Sequence, residues 1–341
     1  MIKLTRRNFI KETTLSIILM FYSLHANSKG KKIITPLMTL NKIREIFSQG
    51  GHIYISDGIY NLGRIKIQSN CTITGAGQLQ FQNNEWHGQG SLIIGEIDCS
   101  DAVNFIIKDL TIDNYRSNGN ALSGTTPRTG NCLINNVTTR ANNHGQLWEA
   151  NDDNPENKNS IGNIIVRNCI HYHGPNGFVS KHKNVCFINC IAHDVNVQAF
   201  VIASDNINPN NKYSRAIGTK IISCRVENKN NTIPPANGLR IYSRMYDDDF
   251  NVKGLADATI NDFYASGNIT NIIFIGDYIL NNQAGGKKYS SIESRNIKIM
   301  NTKKITHRNI KISHCENLII IGCNRTIEIE KCFNIQNIEI I

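Results

Sequence analysis

Between Ser160 and Asn206 the chain writes one unit twice. Asn163-Ile-Ile-Val-Arg-Asn168-Cys169-Ile170 returns 21 residues later as Asn184-Val-Cys-Phe-Ile-Asn189-Cys190-Ile191, and Gly177-Phe178-Val179 is answered 22 residues on by Ala199-Phe200-Val201. Self-similarity at a fixed period of this length is the signature of a solenoid, in which each unit buries its apolar face only against its neighbours. The regular leucines of a leucine-rich repeat are missing, and so is the amphipathicity of a helical repeat. What remains are short Ile/Val/Phe runs bounded by Asn and Gly, which read as strands closed by tight bends. Three such strands per coil make a single-stranded parallel β-helix, with coils about 4.8 Å apart and like residues over like. A recurring Asn at a bend then forms a ladder of side-chain amide hydrogen bonds.

With these repeats stand two further segments, His52-Ile-Tyr-Ile-Ser-Asp-Gly-Ile-Tyr60 and Ser69-Asn-Cys-Thr-Ile-Thr-Gly-Ala-Gly77. On them the chain, over roughly residues 50 to 341, resembles the pectate-lyase-like superfamily of right-handed parallel β-helices. The resemblance implies an all-β, carbohydrate-active protein. It does not select a reaction, because the superfamily holds lyases, hydrolases, epimerases and non-catalytic tailspike-like proteins.

Residues 1–26 read as an address. Thr5-Arg-Arg-Asn-Phe-Ile-Lys11 matches the twin-arginine pattern, an apolar run from Leu15 to Leu24 follows, and Ala26 is a cleavage point. The run is too short to span a bilayer, which takes about 20 residues. The expectation is export in the folded state to the periplasm or beyond, with no stable membrane insertion once the signal is removed. Residues 27–36 then form a linker, and 37–341 one β-helix domain. Within it, residues 37–49 form a helix, with Leu37, Leu40, Ile43, Ile46 and Phe47 on one face and Gly50-Gly51 as its stop. A solenoid must cover its open ends, so this helix is the N-terminal cap.

The formal charge is +10, and removal of residues 1–26 takes three units from it. A basic exported protein of this fold suits an acidic polysaccharide; the basic residues are scattered and not interleaved with aromatics, so nucleic acid is not expected. Ten cysteines in an exported chain would ordinarily suggest disulfides. Here Cys169, Cys190 and Cys224 each follow an Asn or Ser at a strand end, which places them as a ladder of small buried thiols.

Aligning the coils at Leu147, Phe178, Phe200 and Leu239 as inward residues sends Trp148, Lys181, Arg240 and Tyr242 outward on one face. Such a stripe has the composition of an acidic-polysaccharide groove, with Lys183, Glu149 and Asp205 beside it. Elimination across a uronic acid needs a base for the proton next to the carboxylate and a cation to hold that carboxylate. Lys181, crowded by Lys183 and Arg240, is the expected base. Arg240 or Arg244 holds the carboxylate, and His173 or His182 donates the proton or replaces Lys181. A hydrolase would instead need two carboxylates, from among Glu149, Asp152, Asp153, Asp205 and Asp247 to Asp249. The run Asp247-Asp248-Asp249 is a candidate Ca²⁺ site, set against an ordinary solvated loop. Arg64-Ile-Lys66 matches one element of the polygalacturonase pattern without the others. A lyase is the first expectation, a hydrolase the second, and a non-catalytic polysaccharide-binding surface protein the third.

Overall fold

The computed structural model describes residues 30–153, 158–205, 213–229, 236–245, 257–276, 290–292, 294–300, 310–313, 315–321, 327–330 and 333–339. Residues 1–26, with the expected signal, and Asp247 to Asp249 lie outside the described residues. The backbone winds as a parallel β-helix, and one large sheet, parallel in nearly all its pairings, wraps around the axis.

Three faces result. The first carries His52–Ile55, Thr72–Thr74, the opening halves of Val103–Asn114 and Gly130–Ala141, then Gly162–Arg167, Val185–Ile188, Thr219–Ile222 and Ala258–Asn261. The second carries the closing halves of those two long strands, the starts of Ile170–Lys181 and Ile191–Asp205, then Arg225–Asn228 and Tyr264–Gly267. The third stacks Leu122–Gly124, His144–Glu149, the ends of Ile170–Lys181 and Ile191–Asp205, Ala236–Met245 and Ile269–Ile275. The written repeat is therefore the coil: Ile164 pairs with Val185 and Val166 with Phe187.

Both bends of the first face are set by asparagine. At its start, Asn184 Nδ2 donates to Asn163 Oδ1 (3.0 Å), and Asn163 Nδ2 to Asn131 Oδ1 (3.1 Å). At its end, Asn189 bonds Asn168 (3.5 Å), and Asn136 donates to Asp109 (2.7 Å). Each of these Asn residues holds a positive φ, from 49° for Asn131 to 57° for Asn163 and Asn136. Asparagine is the side-chain-bearing residue that enters this left-handed region most readily, and its amide then reaches the next coil.

The lumen is filled by Ile, Val and Phe, with Phe178, Phe187, Phe200 and Phe263 in one aromatic pile. Cys169, Cys190 and Cys224 lie buried within it as free thiols, and the Cys190 amide points at Cys224 Sγ (3.4 Å).

The helix runs over Leu40–Gln49, capped by Thr39 Oγ1 accepting from the Lys42 amide. Ile43, Ile46 and Phe47 join the luminal core, so the helix closes the N-terminal end. Two expectations are corrected. Leu37 lies before the helix and is 96% exposed. The supposed linker holds the first strand, Lys32–Ile34, paired with Ile53–Ile55. Among the described residues no helix is long and apolar enough to cross a membrane.

Candidate functional site

On the third face the register is Gln146, Phe178, Phe200, Leu239 in one row and Leu147, Val179, Val201, Arg240 in the next. The Phe row points into the lumen. Leu147 therefore points outward, and Trp148, in register with Ser180, points inward and is fully buried. This corrects the expected outward Trp148: the alignment slipped by one residue at that coil, which exchanges the two sides of a strand. Lys181, Arg240 and Tyr242 do project outward, and Glu149 pairs in register with Lys181.

Leu147, Val179, Val201, Ala203 and Tyr242 form a second apolar cluster outside the lumen. At its margin the Lys181 ammonium lies 3.2 Å from Glu149 Oε1, with side chains 14% and 18% exposed. Glu149 Oε2 accepts from Asn151 Nδ2 (3.1 Å), which also donates to the Thr125 carbonyl (3.0 Å). The expected crowding of Lys181 by cations is thus replaced by an ion pair with a carboxylate. Arg240 donates to the Gly276 carbonyl (3.2 Å) and lies over Phe274 at 3.6 Å, 3% exposed, so it is packed into the site's wall. The side chains of Arg244 and Asp205 lie outside the described residues; their backbones pair.

The histidines are elsewhere. His182 is buried, its Nδ1 accepts from the Lys183 amide (2.9 Å) and its Nε2 donates to the Thr126 carbonyl (3.1 Å). Burial pulls its pKa down to about 4, so it is a neutral structural side chain and not the expected proton donor. His173 sits at the end of the second face against Phe81, its pKa lowered by burial, and is not gathered with Lys181. His144 is the imidazole on the third face: it bonds Asn120 Oδ1 (2.9 Å), and burial, with the Lys181 charge second, pulls it to about 3. Asp152 accepts from Asn159 at both oxygens and is buried.

Two groups went unrecognised in the sequence. Arg64 of the Arg64-Ile-Lys66 segment bridges Asp98 (2.9 Å) and Glu96 (4.0 Å) on the third face, and Glu96 accepts from Ser123 (2.7 Å). On the second face, Asp113, Arg140, Tyr172, His193 and Glu227 stack in register as an outward row. The signal was present: each stands four residues after Asp109, Asn136, Asn168, Asn189 or Ser223, the positive-φ residues that end the first face. Over this row folds a hairpin, Gln80–Gln82 with Glu85–His87. Its Trp86 donates to Asp113 (2.8 Å), and its Phe81 covers Arg140 at 4.2 Å. Among the described residues no group of three or more His, Cys, Asp or Glu is placed to hold a metal.

No family model matches the chain, and no curated protein matches it by sequence. Solved structures do resemble it. A pectin methylesterase from Erwinia chrysanthemi superposes with a TM-score of 0.48 at 14% identity, over 82% of this chain and 92% of that one. A rhamnogalacturonan lyase gives 0.48 at 10% identity, over 91% and 89%. A family 28 exopolygalacturonase from Yersinia enterocolitica gives 0.45 at 10% identity, over 92% and 77%. At such identities and TM-scores none of these likenesses carries a function to this chain.

Proposed function

We propose that the chain cleaves a uronic-acid-containing polysaccharide by β-elimination at the Glu149–Lys181 pair. The observation that supports this reading is the pair itself: an amine and a carboxyl group 3.2 Å apart, in register on adjacent coils, partly open on the outer side of the third face. Such a pair supplies both proton transfers. When substrate excludes water, Glu149 takes one ammonium proton and Lys181 becomes the amine. The amine removes the proton from the carbon next to the uronate carboxylate, the bond to the leaving sugar oxygen breaks, and a carbon–carbon double bond forms. Glu149 returns its proton to the leaving oxygen, so the pair ends as it began. Both groups act from one side of the ring. Arg244, whose backbone pairs with Asp205 on the same face, takes the carboxylate-holding role in this reading.

A hydrolase reading is favoured by one observation. Glu96 and Asp98 project from one strand on the same face, two residues apart and bridged by Arg64. Two carboxylates across a glycosidic bond are the machinery of hydrolysis.

The test incubates the protein with acidic polysaccharides and follows unsaturated-uronate absorbance and reducing ends together. Both rising, and both lost in Lys181→Met, supports the lyase. Reducing ends without absorbance, lost in Glu96→Gln, moves the chemistry to the carboxylates. Saturable binding without either signal makes the chain a polysaccharide-binding protein.

A further inference from the structure

A cluster of aromatic and charged side chains stands on the second face, under the hairpin. Phe81, Arg140 and Tyr115 form a sandwich, with the guanidinium 4.2 Å from the Phe81 ring centroid and 4.1 Å from that of Tyr115. Asp113 organises it: Oδ2 accepts from Trp86 Nε1 (2.8 Å) and faces Arg140 (3.5 Å), while Oδ1 accepts from the Tyr115 amide (3.0 Å). Tyr115 and Trp86 belong to neither apolar cluster. Tyr115 stands 37% exposed, and Trp86 is half-buried. One buried nitrogen of the guanidinium, Nε, has no hydrogen-bond partner.

We propose that Tyr115 and Trp86, with Arg140 and Asp113 beneath them, form a saccharide-binding site on the second face, separate from the Glu149–Lys181 pair. The open face of a tyrosine backed by a guanidinium offers a flat apolar surface for the C–H face of a pyranose. Arg140 and Asp113 offer donors and acceptors at its edge for hydroxyl groups. Aromatic rings beside a few fixed polar groups are the combination that saccharide recognition uses. Trp86 of the hairpin meets the Tyr172 ring edge-to-face at 6.1 Å, and one face of Tyr172 is taken by the His193 stack at 4.9 Å.

The charge along the row points to ring stacking as the mode of recognition. Arg140 faces Asp113, and Arg225 and Lys229 both flank Glu227, which also has His193 at 3.7 Å; Asp194 lies beside His173. Carboxylates and cations balance, so the site has no reason to prefer a charged sugar. Binding here is expected to be insensitive to salt, unlike any contact that depends on a uronate carboxylate.

Tryptophan emission is the built-in readout, because the other tryptophan, Trp148, is sealed in the lumen. The protein is titrated with tetragalacturonate and with cellotetraose up to about 10 mM, the range of weak saccharide sites. A saturable change is expected with both sugars, shifting less than about twofold in affinity between low and high salt. Trp86→Phe should remove the signal, Tyr115→Ala should weaken binding about tenfold, and Tyr115→Phe should keep it. Lys181→Met should leave the titration unchanged, so loss of the proposed elimination does not bear on this site. No change with either sugar, a titration unaffected by Tyr115→Ala, or one abolished by Lys181→Met would overturn the proposal.

Discussion

Phe178 and Phe200 lie ring over ring in the lumen, centroids 4.9 Å apart and planes 20° from parallel. The separation is that of neighbouring strands, about 4.8 Å, so the stack follows directly from placing like residues on successive coils. Phe187 and Phe263 meet Phe200 edge-on. Phe200→Ala should therefore open a cavity and cost about 3–5 kcal/mol, while Phe200→Leu should cost less than about 1.5 kcal/mol. Urea unfolding measures both, and equal losses would show that no cavity forms.

The asparagine ladders make a backbone prediction. Asn168 holds φ at 53° while bonding Asn135 and Asn189 through its amide. Asn168→Ala keeps a Cβ in the left-handed region and loses both bonds, for an expected loss of about 1–2 kcal/mol. Asn168→Gly loses the bonds but not the conformation, so its unfolding midpoint should lie between those of the parent and the alanine variant.

Burial holds His171 and His144 at about 3 and His182 at about 4, against 6.5 for the free side chain. The folded state thus binds fewer protons than the unfolded chain below pH 6.5. The stability these groups contribute is complete above that pH and is lost as the pH falls toward the folded values. The slope is about 1.4 kcal/mol per pH unit for each histidine. The urea midpoint should be level above about pH 7 and drop steadily from there to about pH 4, with a shallower drop in His182→Gln. A midpoint that does not move over that range would mean that these imidazoles charge without unfolding.

If Glu149 and Lys181 work as one proton relay, their substitutions will not add. Lys181→Met and Glu149→Gln are each expected to lower turnover by about 10²- to 10⁴-fold, and the double variant no further than the worse single one. Steady-state rates for the three proteins decide it; multiplicative losses would show independent roles.

Thiol chemistry should report on coil integrity. Burial pushes Cys71 and Cys186 up to about 12, and Cys99, Cys132, Cys169, Cys190 and Cys224 are likewise buried and free. Because all seven are buried away from reagent, they should be labelled by an aromatic disulfide only as fast as the protein unfolds. Rapid labelling of all ten in the native protein would contradict the stacked arrangement.

The coil was legible because its determinants are local and recur: short apolar luminal runs, with an asparagine at both bends of the first face in the written repeat. Arg240 and Tyr242 projected outward as the alternation required. Trp148 did not, because at its coil the pattern inverts, with polar Gln146 in the lumen and Leu147 outside, where a second apolar cluster receives it. Nothing in residues 144–149 alone reveals that cluster, whose other members come from later coils. The hairpin's docking was hidden for the same reason: Phe81 and Trp86 find partners supplied by separate coils.

That docking changes how the molecule holds together under load. In a solenoid each unit touches only its neighbours, so unravelling can start anywhere and proceed one unit at a time. The hairpin bonds Asp113, covers Arg140 and reaches Tyr172, which stand on three successive coils. It acts as a clasp fastened across them, so these coils must come apart together.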